Sequence, residues 1–146
     1  MSLEKNKAVV RRWIEAENKK DLAVLNELMA ADYFDPSLQV RGREASKAKA
    51  KQLMAMVFKG FPDTHETIED IIAEGDKVWV HLKITGTHTG EYRGLAPTGK
   101  KITYTAIVIW RIVNGKVIES WGIYDPLDAY KQLGVIEYKG FPDEVK

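Results

Sequence analysis

The apolar positions of this chain change period once. From Ser2 to Asn18, Val9, Val10, Trp13 and Ile14 recur at helical spacing among glutamates and lysines, which predicts an amphipathic helix. Asp21 then stands as an N-cap before Leu22, Leu25, Leu28 and Met29, one face of a second, shorter helix that runs to about Ala31. The two read as a hairpin. Tyr33, Phe34, Asp35 and Pro36 lead into a loop holding Gly42. The segment from Ala45 to Phe58, rich in Ala, Lys, Gln and Met, reads as a third helix that Gly60 and Pro62 stop.

Beyond Thr64 the period falls to two. Between Lys77 and Thr87, Val78, Val80, Leu82 and Ile84 alternate with Trp79, His81, Lys83 and Thr85, and Gly75-Asp76 turns this strand back onto Thr64 to Ala73. Lys101 to Val113 is a long β-branched and aromatic run, which Asn114-Gly115 turns directly into Lys116 to Tyr124. Pro126 ends that strand, and Leu127 to Leu133, with Gly134 behind it, closes the chain as a short helix. Helices first and four hairpin-linked antiparallel strands afterwards make the α+β class, with the helices covering one face of the sheet.

Length and charge narrow the partners. The 146 residues fit one domain, 1–146, and a chain of that size buries roughly two thirds of its unfolded surface. With 22 basic and 21 acidic side chains the net charge is +1, so no strong field points to nucleic acid or to an anionic membrane. There is no cysteine, which removes thiol nucleophiles and disulfides. The charged N-terminus lacks the apolar core of a signal peptide, and no apolar run approaches the ~20 residues of a membrane span, so a cytoplasmic protein is expected.

Among residues that can carry chemistry, Asp125 shares strand parity with Trp121 and Ile123. That puts its carboxylate on an otherwise apolar face, where a poorly hydrated carboxylate accepts a proton better than one in water. The same Asp, followed by Pro126 and a short helix, also has the signature of a plain N-cap. Asp35 is the competing carboxylate, or a turn residue. His65, His81 and His88 lack the spacing of a metal site, and no metal is expected. His88, in the polar turn GTHTGEYRG, either relays a proton at a cavity mouth or is a hydrogen-bonded structural residue. Arg111 and Glu119 face each other across the Asn114-Gly115 hairpin and read as an ion pair. Trp13, Trp79, Tyr104, Trp110, Trp121 and Tyr124 read mainly as core, with a few left to floor a pocket.

The run GTHTGEYRGLAPTGKKI at 86–102, then WRIVNGKVIESWGIYD at 110–125 and QLG at 132–134, resembles the SnoaL-like polyketide cyclase (ester cyclase) family of the nuclear-transport-factor-2-like superfamily. The resemblance implies a cone of strongly bent antiparallel sheet closed by the N-terminal helices. It also implies an Asp at the position of Asp125 as acid and base of an intramolecular aldol closure, with no metal or cofactor. Trp121, Tyr104, Arg111 and Trp13 are then the expected substrate-binding residues, and His88 a supporting one. A homodimer is expected on the same ground. Ketosteroid isomerases of the superfamily carry their base in a loop like that of Asp35, which makes Asp35 the alternative base. Val108 and Ser120 stand where many relatives carry Asp and His, and this difference motivates the second reading, a non-catalytic pocket for a small hydrophobic ligand or a dimeric interaction domain.

Overall fold

The structure, a computed structural model, describes residues 2–137 and 139–141. The elements run α1 (Leu3–Asn18), α2 (Leu22–Leu28), β1 (Met29–Phe34), α3 (Pro36–Val40), α4 (Lys47–Gly60), β2 (His65–Glu74), β3 (Lys77–Thr87), β4 (Lys101–Val113), β5 (Lys116–Tyr124) and α5 (Pro126–Leu133). Polar side chains start the helices: Ser2, Asp21 and Ser46 each accept the backbone N–H three residues on, from Lys5, Val24 and Lys49. The hairpin between β4 and β5 turns on Asn114 and Gly115, both at positive φ (50° and 74°), as a type I′ turn requires.

The five strands form one open sheet in the order β1-β5-β4-β3-β2, antiparallel except that β1 runs parallel to β5. The wholly antiparallel sheet read from the sequence is therefore corrected to a mixed one. Strand β1 was hidden because Met29 continues the helical spacing of Leu25 and Leu28, and because only Met29 and Tyr33 of its six residues are buried. The five-residue α3 was hidden for a similar reason, its one signal being Asp35 before Pro36. Register shifts between Ile68 and Asp70 in β2, and between Arg111 and Ile112 where β4 meets β5, bend the sheet.

The inner face of β3, β4 and β5 presents Val78, Val80, Leu82, Val108, Trp110, Ile112 and Val117 to Val10, Trp13 and Leu25 of the first two helices. Each such side chain contributes roughly 1.5–3 kcal/mol of transfer free energy. A smaller cluster at the other end joins Phe61 and Ile102 to Ala129 and Leu133 of α5, and Tyr104 packs against both clusters. The outer face is also apolar. Ile72, Trp79, Ile109 and Trp121 lie in register across four strands, with Ile107 and Ile123 paired one step along.

Candidate functional site

Between the two clusters the inner face, α1, α3 and α4 enclose a cavity of about 420 Å³. Its walls are largely apolar. Leu53, Met54, Met56, Val57 and Phe58 line it from α4, half-buried because they face this space and not a packed core. Arg41 and Arg93 line it while remaining exposed, which marks the mouth. A broader depression of about 730 Å³ beside Lys47 and Lys51 is open to solvent and shares only Tyr33 with the cavity.

Asp35 lines this cavity at the start of α3. Its Oδ1 accepts the backbone N–H groups of Ser37 (2.9 Å) and Leu38 (3.3 Å) and the Ser37 hydroxyl, so Asp35 is the N-cap of α3. Burial raises the Asp35 pKa, and these hydrogen bonds together with Arg41 oppose the rise. Tyr33, Tyr104 and Tyr124 also line the space, and burial pushes all three phenols up, so each stays protonated and able to donate. Tyr124 reaches the inner face by lying across Gly122, where a Cβ would come within 2.8 Å of its ring. The position must remain glycine for the phenol to point inward.

Two further carboxyls share the cavity. Glu17 comes from the last turn of α1 and Glu66 from the start of β2, and Asn18 fixes their relative position. The Asn18 side chain accepts the Glu66 N–H at 2.7 Å and donates to the Glu66 carbonyl at 3.0 Å. The carboxyls meet closely enough to share a proton. Burial first, and the Glu66 charge second, raise the Glu17 pKa well above the usual carboxylate range; the Trp13 indole and Lys20 pull the other way. Burial raises Glu66 as well, against a hydrogen bond from Glu17 and the charge of Lys20. The exposure both residues retain is toward the cavity they line. Neither was singled out in the sequence: each is one glutamate in a helix or strand with charged neighbours, and only the docking of α1 on β2 brings the two together.

Of the residues expected from the sequence, Trp13, Tyr104 and Asp35 line the cavity. Trp121, Arg111, His88 and Asp125 are not among its lining residues. Strand β5 ends at Tyr124, before Asp125, and its Trp121 and Ile123 face outward while Ser120, Gly122 and Tyr124 line the cavity. Both faces of β5 are apolar, so alternation could not tell inside from outside. Asp125 is exposed and caps α5, accepting the Asp128 N–H at 3.0 Å. Arg111 binds Asp76 at 2.7 Å, with the expected partner Glu119 farther off at 4.0 Å. His88 is fully buried behind Phe61, on which it stacks at 5.2 Å; its Nδ1 accepts the Thr98 N–H at 3.2 Å and pins the loop before β4.

Relatives agree with this fold. The SnoaL-like polyketide cyclase family model matches residues 7–133. The aklanonic acid methyl ester cyclase DnrD of Streptomyces peucetius is 30% identical over 133 residues, 86% of this chain and 88% of that protein. The crystal structure of AclR from Streptomyces galilaeus, proposed to be a hydroxylase, superposes with a TM-score of 0.86 at 29% identity, over 96% of this chain and 87% of that one. IdmH of Streptomyces antibioticus superposes with a TM-score of 0.78 at 28% identity, over 88% and 98%. An open α+β cone around an inner cavity, matched along most of its length by this family model, makes the chain a member of the SnoaL-like polyketide cyclase family.

Proposed function

We propose that the chain catalyses an acid–base ring closure, an intramolecular aldol reaction, on a small and largely apolar polyketide ester or ketone. The observation that carries this reading is the cavity itself: apolar walls that hold carboxyls and protonated phenols together. An apolar wall binds the carbon skeleton, a carboxylate takes a proton next to a carbonyl, and a phenol donates to the oxygen on which charge develops. No cofactor enters this scheme. Asp125 supports the site through α5, whose Ala129, Tyr130 and Leu133 line the cavity.

Aklanonic acid methyl ester, named for the relative DnrD, is the first substrate to try. Saturable quenching of the fluorescence of Trp13 and Trp110, both on the cavity wall, and a cyclised product by chromatography are expected. Asp125→Asn is expected to turn over within a few-fold of wild type, since an exposed cap touches no substrate; loss of turnover with an intact fold would return Asp125 to the role of base. A second reading has its own observation, Val108 and Ser120 on the cavity wall, neither of which can act as an acid or a base there. Quenching without product, across several esters and ketones, would favour a binding module.

The exposed outer face fits a second copy of the chain. Ile72, Trp79, Ile107 and Ile123 are 59%, 44%, 43% and 61% exposed, an apolar strip of the kind that a partner sheet covers. Light scattering is expected to give the mass of a dimer, and Trp79→Glu to shift it toward the monomer without loss of fold. A monomeric wild type at micromolar concentration would remove this interface.

A further inference from the structure

We propose that Glu17 and Glu66 act as one proton-sharing carboxyl pair, with Glu66 as the base that takes the carbon-bound proton and Glu17 as the acid that returns one to oxygen. The inference deepens the cyclase reading and rests on it for the ring-forming step. Both carboxyls line the cavity, and the hydrogen bond between them favours the ionised form of Glu66 and the protonated form of Glu17, so the shared proton sits on Glu17. The Trp13 indole bonds Glu17, and Asn18 ties the backbone of Glu66, so the pair is held from both sides.

A second, independent feature of the same cavity calls for a ligand oxygen. Trp110 lines it and is only 3% exposed, and its indole Nε1 has no hydrogen-bond partner among the described residues. Ser120 on the same wall is engaged by the Tyr33 hydroxyl, so the indole N–H is the donor left for a ligand. A buried indole N–H left unspent costs stability, and a ligand carbonyl would satisfy it. Trp110 packs against Trp13 at 6.3 Å, and Trp13 bonds Glu17, which ties the unspent donor to the carboxyl pair through one ring contact.

The chemistry balances without a co-reactant. Glu66 takes a proton from the carbon beside one carbonyl, and the freed electron pair forms the C–C bond to a second carbonyl carbon. That carbonyl π bond breaks toward oxygen, and the alkoxide takes the proton of Glu17. The pair ends with one proton, as it began, now on Glu66, and a proton passing between the two carboxyls restores the starting state. The substrate is therefore neutral near the pair, since an anion would be repelled by it. The charged and titratable groups that face the pair are Lys20, which favours the ionised form of both, and Tyr33, Tyr104 and Tyr124.

Two readouts test this in the full chain. Infrared difference spectra at neutral pH are expected to show a protonated carboxylic acid that Glu17→Gln removes. Wild-type protein is also expected to speed deuterium uptake at the α-carbon of α-tetralone, a neutral aromatic ketone, and Glu66→Gln to lose that acceleration by about 100-fold or more. Glu15→Gln, on the exposed side of the same helix and paired only with Lys19, serves as the control and is expected to keep the exchange, and an unchanged circular dichroism spectrum of Glu66→Gln shows that its loss is not a loss of fold. Glu17→Gln is expected to slow any ring closure, which needs the acid. Absence of the protonated acid in wild type, absence of accelerated exchange, or equal exchange in Glu66→Gln would each overturn the assignment. Accelerated exchange without cyclised product from aklanonic acid methyl ester would keep the pair and reject the ring-forming reading alone.

Discussion

Replacing Trp13 by alanine is expected to cost about 3–5 kcal/mol, the range for deleting a large buried aromatic, out of a total stability of about 5–15 kcal/mol for a domain of this kind. Trp13 is 2% exposed, stacks on Tyr33 at 6.2 Å and meets Trp110 at 6.3 Å, so its ring joins α1 to β1 and to the middle of the sheet. It also forms part of the cavity wall. Removing it merges the void it leaves with the cavity, so the surrounding structure has little to collapse onto. Denaturant midpoints with an unchanged slope are the measurement. Trp13→Phe should recover most of the loss, because packing is restored and only the indole N–H to Glu17 is missing. A cost below about 1 kcal/mol for Trp13→Ala would mean that the ring lines the cavity without supporting the sheet.

The last three strands were legible because nothing competes with their period. Val78, Val80, Leu82 and Ile84 alternate against Trp79, His81, Lys83 and Thr85, and Asn114-Gly115 permits one hairpin register, so β3, β4 and β5 have the bounds read from the sequence. Strand β1 and helix α3 were not legible, because each is too short for a period to register and both are held by tertiary contacts. The Asp35 N–H bonds the Ala45 carbonyl, and Phe34 bridges to Ser46, contacts that no local pattern announces.

Legibility of the site failed on one geometric point. Strand parity assigns side chains to two faces without saying which is inside, and the usual aid, apolar in and polar out, fails on β5 because Trp121 and Ile123 make the outer face apolar too. The bulge near Ile118 adds a second obstacle, since inward-facing Val117 and inward-facing Ser120 are three residues apart. Trp13 and Tyr104 line the cavity because the first lies on the buried stripe of α1 and the second keeps the parity of Val108 and Trp110.

Glu17→Gln is expected to stabilise the protein increasingly as pH rises. The folded pair holds its proton above the usual carboxylate range, whereas Glu17 of the unfolded chain ionises near its ordinary value of about 4.3. Between those limits the folded state binds more protons than the unfolded state, and stability therefore falls with rising pH by up to about 1.4 kcal/mol per pH unit. The contribution is fully present below the unfolded value and is lost as pH climbs through the folded one. Glutamine does not titrate, so the variant lacks this loss while keeping a donor for the Glu66 carboxylate. Exposed carboxylates held low by their partners, Asp76 beside Arg111 and Glu15 beside Lys19, have the opposite slope but are common to both proteins and cancel in the difference. Urea midpoints from about pH 5 to about pH 8 should show the curves diverging, with the variant above wild type at the alkaline end. Parallel curves would mean that both carboxyls ionise freely in the folded cavity, leaving no retained proton for the pair to share.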